Sequence, residues 1–176
     1  MDLLLASAVG VAPTGLAAFD DALLRVGAAN YNLVRLSSVI PPGATLVEYD
    51  GAIPTPGGMW GDRLYVVYAE QRASVPGESA WAGIGWVQDP LTGRGLFVEH
   101  EGTDEEVVRL DIVASLHQMQ AARDLDLGEI HLRLAGATCA AEPLCALVLC
   151  AYATEQWAVP EPLLDQDERI LEALAW

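Results

Sequence analysis

The chain opens with an apolar run, Leu3-Leu4-Leu5-Ala6, and residues 1–12 read as a strand. A short helix is predicted over 16–26. Residues 32–40, from Asn32 to Ile40, form a second apolar, β-branched stretch that Pro41-Pro42-Gly43 stops. Four prolines and five glycines between Pro41 and Asp62 indicate a long irregular loop, a feature usually tied to function or disorder in a compact domain. Three strand-like runs follow at 63–70, 80–87 and 96–101. The last two are joined by Asp89-Pro90-Leu91-Thr92-Gly93, which has hairpin turn chemistry.

Thr103-Asp104-Glu105-Glu106 reads as a capping box that opens a longer helix. Val108, Ile112, Leu116 and Met119 recur along it at spacings of four, four and three, which gives it one apolar face. Ile130, Leu132 and Leu134 alternate with His131 and Arg133, as in a strand covered on one side. Residues 144–152 are apolar throughout and read as a strand buried on both faces. A terminal helix is predicted over 164–174. Strands outnumber helices and most connections are too short for parallel crossovers, so the pattern implies an α+β fold with helices on largely antiparallel sheet.

At 176 residues and 52% hydrophobic composition, the chain suits one domain, 1–176, with a sizeable core. The longest apolar run is too short for a membrane span of about 20 residues. Ala6-Ser7-Ala8 resembles a signal-peptidase site, but Asp2 stands where a basic flank belongs and the apolar run before it is too brief; the expectation is a cytoplasmic protein. The net charge of −16 argues against nucleic acid or an anionic membrane surface as partner, and suits either a cationic small molecule or simply a solubilising surface. All nine basic residues are arginine. With no lysine available, pyridoxal phosphate held as a lysine Schiff base is excluded, and any Schiff-base chemistry must use a carbonyl that the protein makes itself. Cys139, Cys145 and Cys150 lack C-x-x-C spacing and the three histidines lack metal-ligand spacing, so no metal is expected and the cysteines read as small buried hydrophobes.

The segment with most chemical information is Asn30-Tyr31-Asn32-Leu33-Val34-Arg35-Leu36-Ser37-Ser38-Val39-Ile40-Pro41-Pro42-Gly43. A Ser-Ser pair alone reads as two serines on alternate faces of a strand. The whole segment, however, resembles the cleavage segment of the pyruvoyl-dependent arginine decarboxylases. Ala18-Phe19-Asp20, Leu23-Leu24, Gly27 and Asn30 lie at that family's distances before the serines, and 68–87 and 96–102 resemble its central strands and acidic strand end. Ala29 stands where the family typically has glycine.

The resemblance implies a four-layer αββα sandwich, assembled as a trimer or a dimer of trimers with sites between subunits. It implies a proenzyme in which the Ser38 hydroxyl attacks the Ser37 carbonyl, and Asn32 donates its side-chain amide to the oxyanion at Ser37. β-Elimination and hydrolysis then leave a β-chain of 1–37 and an α-chain of 38–176 headed by a covalent pyruvoyl group from Ser38. That group condenses with the α-amine of an amino-acid substrate as a Schiff base and takes up the electrons released with CO2. Glu99 is the implied acid that reprotonates Cα; by itself, Glu99-His100-Glu101 reads as solvated surface. Asp20 is the implied guanidinium ligand for arginine, the product being agmatine, whereas its local reading is a charge early in a helix. Two alternatives stay open: the same chemistry on another amino acid, or an uncleaved, non-catalytic homologue that acts as a structural or regulatory subunit.

Overall fold

The computed structural model describes residues 1–54 and 57–157. Nine strands and two helices follow in the order β1 Asp2–Val11, α1 Gly15–Val26, β2 Asn32–Arg35, β3 Val39–Ile40, β4 Thr45–Tyr49, β5 Arg63–Ala73, β6 Ser79–Gln88, β7 Gly95–Gly102, α2 Glu105–Ala121, β8 His131–Thr138 and β9 Leu144–Glu155. One sheet has the order β2-β5-β9-β1-β4, the other β3-β7-β6-β8. Pairing is antiparallel except for β1 with β4 and β2 with β5.

β9 shows why the layers stack as they do. Its residues are apolar on both faces, so neither can be left to solvent. Ala146, Val148 and Cys150 pack toward the second sheet, while Leu147, Leu149 and Ala151 pack under α1 with Ala22, Leu23 and Val26. On the far side Val108, Ile112 and Leu116 seat α2 against β6 and β7. The layers therefore run α1, five-stranded sheet, four-stranded sheet, α2, which is the αββα sandwich. Gly83 and Gly85, which could be mistaken for part of a nucleotide fingerprint, serve this packing: a Cβ on Gly85 would collide with Ile112 Cγ2. The three cysteines are buried and free.

Several details depart from the sequence reading. The loop after Pro41 contains β4, whose residues pair with the first residues of β1. α2 is capped one residue later than expected, by Asp104, whose carboxylate accepts from Val107 N at 3.0 Å. β8 is covered on both faces, because Arg133 reaches across to Ser7 Oγ at 2.9 Å and His131 stacks on Trp86. The helix expected over 164–174 lies outside the described residues.

The stretch 32–40 is two strands rather than one. β2 is an edge of the five-stranded sheet and β3 an edge of the four-stranded sheet. Leu36 N still bonds to Val66 O at 2.9 Å, whereas Ser38 O already accepts from Phe97 N at 2.8 Å. The chain thus changes sheets between Leu36 and Ser38, at the open margin of the sandwich.

Candidate active site

Crossing from one sheet to the other in three residues requires a sharp reversal. Ser38 supplies it with φ +65°, in the left-handed region that an L-residue enters at a cost of roughly 1–2 kcal/mol. In that conformation its hydroxyl points into the space between the sheets. Ser38 Oγ donates to Glu99 Oε1 at 2.7 Å and Oε2 at 2.8 Å.

Glu99 sits on β7, two residues after Phe97, so strand alternation sends both side chains toward the layer between the sheets. His100 points the other way and its Nε2 meets Ser115 Oγ on α2 at 2.8 Å. Burial pushes the Glu99 carboxyl above its ordinary range; the Ser38 hydroxyl, Arg35 and His100 pull in the opposite direction without cancelling it. A carboxyl in this state holds a proton more readily than a surface glutamate and remains within direct reach of Ser38.

Two further residues of this margin went unnoticed in the sequence. Tyr152, at the end of β9, donates its hydroxyl to Val39 O at 3.1 Å and meets Phe97 edge-on at 6.2 Å between ring centroids. Arg35, three residues before Ser38, lies 4.9 Å over the Tyr68 ring and donates to Tyr68 O at 3.0 Å. Both sit within predicted strands, and only the third dimension brings them to the serine.

Asn32 and Asp20 lie elsewhere in the protomer. The Asn32 side-chain amide donates to Gly61 O, and its backbone N to Asp62 O at 2.8 Å, at the far end of β2. Four residues of paired strand, at about 3.3 Å each, separate it from Leu36. Within one copy its acceptor is therefore Gly61, not the Ser37 carbonyl that the sequence reading assigns to it. Asp20 is exposed on α1, across the five-stranded sheet from Glu99. No acidic residue occupies the first turn of α1, so Asp20 is not a helix-start charge. Its neighbour Asp21 ties the helix to β1 instead. Asp21 Oδ2 accepts from Val11 N and Arg25 Nε, both at 2.8 Å, which lowers its pKa. Asp20 borders a shallow groove of about 510 Å³ lined by Thr14, Leu16, Ala17, Phe19 and Leu23.

An αββα sandwich with a left-handed serine held on a half-buried carboxylate where its sheets meet has the form of an enzyme built around that pair. Comparison with known proteins shows the family. Residues 2–156 match the family model of the pyruvoyl-dependent arginine decarboxylases. A pyruvoyl-dependent arginine decarboxylase of Halobacterium salinarum is 38% identical over 164 residues, which cover 89% of this chain and 94% of the relative. The enzyme of the same name from Thermococcus kodakarensis is 33% identical over 141 residues, or 77% of this chain and 84% of the relative. The chain belongs to the pyruvoyl-dependent arginine decarboxylase family, a family of carboxy-lyases whose name implies a covalently bound pyruvoyl group.

Proposed function

We propose that this chain cuts itself between Ser37 and Ser38 and that the resulting enzyme converts arginine to agmatine and CO2. The observation that carries the reading is Ser38 itself, left-handed with its hydroxyl on Glu99. Ionised Glu99 accepts the hydroxyl proton as Oγ attacks the Ser37 carbonyl carbon. The C–N bond of the Ser37–Ser38 peptide breaks, the Ser38 nitrogen leaves protonated, and an ester joins the two residues. Loss of the Ser38 Cα proton expels the Ser37 carboxylate. Hydrolysis of the dehydroalanine then releases ammonia and leaves a keto group at position 38, heading a chain of 38–176 beside one of 1–37.

The surroundings of position 38 fit that group. Its carbonyl oxygen, already held by Phe97 N, is retained through the reaction, and the strained φ torsion ceases to exist once nitrogen departs. The keto group supplies an electron sink for decarboxylation of an amine bound to it. The protein's part is to hold the substrate, exclude water and return a proton to Cα. Glu99 suits proton return better after the cut: the Ser38 hydroxyl that pulled its pKa down is gone and burial still pushes it up. One carboxyl is thus a base for processing and an acid for turnover.

Asp20 accepts the guanidinium bidentately, and the apolar floor of its groove suits the methylene arm. Because Asp20 and Asn32 are each removed from Glu99 within one copy, the complete site draws on two copies. Asn32 and Asp20 of one then serve Ser37 and Ser38 of the next, in a homotrimer or a dimer of trimers. No helix among the described residues is long and apolar enough to cross a membrane, and the reading is of a cytoplasmic enzyme. The test is a panel of amino acids assayed for CO2. Arginine releases CO2 and agmatine in equal amounts; CO2 from another amino acid but none from arginine removes the substrate assignment. If an Asp20→Asn protein and a Glu99→Gln protein are refolded together, they recover activity at low arginine, well below the raised KM of Asp20→Asn, that neither shows alone; no recovery contradicts the shared site.

A further inference from the structure

Residue 38 must stay beside Glu99 through two very different states, first inside a continuous chain and then as a chain end. Chain ends fray unless something ties them down. β3 is only two residues long, and its ladder to β7 consists of Val39 opposite Leu96 and Ile40 opposite Gly95. A two-residue edge strand is a weak anchor for a group that must be aligned for proton transfer.

The structure supplies two further holds on this segment, on consecutive carbonyls. Phe97 N donates to Ser38 O at 2.8 Å, and Tyr152 Oη donates to Val39 O at 3.1 Å. The second comes from the other sheet. Tyr152 stands on β9 at a bulge: Ala151 pairs with Val66 of β5 and Leu4 of β1, Ala153 pairs with Tyr65, and Tyr152 between them has no partner in either register, while its ring rests edge-on against Phe97. A bulge re-aims a side chain, and this one, fixed by ladder pairs on either side and by the Phe97 ring, directs the Tyr152 hydroxyl across to the other sheet. Burial pushes the phenol above its ordinary range, aided by Cys150 and Glu99, so it remains a neutral donor at any working pH.

We propose that Tyr152 is a positioning residue: its hydroxyl, acting with Phe97 N–H, clamps the Ser38–Val39 segment between the two sheets. It holds Ser38 in its left-handed turn before the cut and the new chain end against Glu99 afterwards. This inference rests on the proposed cut at Ser37–Ser38. Tyr152 touches no reacting atom and acts through the Val39 peptide.

Tyr152→Phe isolates the hydroxyl, because it keeps the ring against Phe97. Chains made by cell-free synthesis are followed by gel band and intact mass, a readout independent of decarboxylation. Loss of one hydrogen bond of ordinary net strength slows the cut by about three- to tenfold. In the cut enzyme kcat falls by a similar factor while KM for arginine stays put, because the Tyr152 hydroxyl is given to Val39 O and acts on the chain end rather than on the substrate. Val67→Ala serves as control: it opens a cavity in the same layer between the sheets and lowers the melting temperature at least as much, yet leaves the rate of cutting unchanged. Equal cutting rates for Tyr152→Phe and wild type, a rise in KM alone, or equal slowing by Val67→Ala would each overturn the proposal. A wild-type chain that never cuts, by contrast, fails the underlying reading.

Discussion

The margin where the sheets meet and the outer face that carries α1 are built to different degrees of completeness. At the margin, one copy of the chain brings Ser38, Glu99, Phe97 N–H and Tyr152 into mutual reach, inside a layer that already raises the pKa of Glu99. On the outer face, Asp20 borders an open groove with exposed Leu16 and Leu24 nearby and no cationic partner among the described residues. The difference teaches that making the reactive group and recognising the substrate are separable. The first needs alignment of a few atoms to within tenths of an ångström, and within one copy strand pairing already sets the serine on its carboxylate, leaving only Asn32 to come from a neighbour on the proposed reading. The second needs a pocket, and one copy offers only an open groove on a helix face, which the proposed assembly closes with a second copy.

The sharpest way to break this comparison is Ser38→Ala. Without a hydroxyl to attack, cutting stops altogether, and a single full-length band persists on a denaturing gel. Next in size is Glu99→Gln. The sequence alone gives Glu99 a role in turnover only, whereas the proposed reading, resting on its contact with Ser38 Oγ, gives it a part in both steps. Removal of a general acid–base group costs about 10²- to 10⁴-fold, and both the cut and the later turnover, measured separately, fall within that range. Normal cutting by Glu99→Gln would confine its role to turnover.

Asp20→Asn tests the other half of the comparison. Loss of a charged hydrogen-bond partner costs roughly 1.5–3 kcal/mol, so KM for arginine rises about 10- to 150-fold while the cut proceeds at its normal rate. An effect on cutting would mean that the two regions are not separate. The smallest effect concerns pH. The cut needs ionised Glu99, so its rate falls with acidification through a midpoint above the ordinary carboxylate value of 4.5. Proton return to Cα needs the protonated form, so that step weakens as pH rises through the pKa of Glu99 in the cut enzyme. Cutting and turnover profiles that slope the same way contradict one carboxyl serving both.

Much of the sandwich was legible because its signals are periodic. The unbroken apolar run of β9 required cover on both faces, and the four-residue spacing of Val108, Ile112 and Leu116 gave α2 its buried side. β4 was hidden because its apolar residues are few and flanked by proline and glycine, which read as loop; its pairing with β1 is a long-range contact with no local signature. The break between β2 and β3 was hidden for the opposite reason. Leu36-Ser37-Ser38-Val39 continues a strand pattern without a glycine, and only the left-handed φ of Ser38 reveals the change of sheet. At the site, Ser38 and Glu99 were singled out by resemblance and the fold brings their side chains together. Tyr152 was missed because, in a run read only for its burial, its hydroxyl has no pattern to obey.

The most direct test of the account is the intact mass of the purified wild-type protein. The account predicts two chains, 1–37 ending in a free carboxylate and 38–176 beginning with a keto group. The larger chain should resist N-terminal sequencing until the carbonyl is converted to an amine, and Ser38→Ala should give one uncut mass. A wild-type protein recovered as a single 176-residue chain with a normal amino terminus and no carbonyl would contradict it.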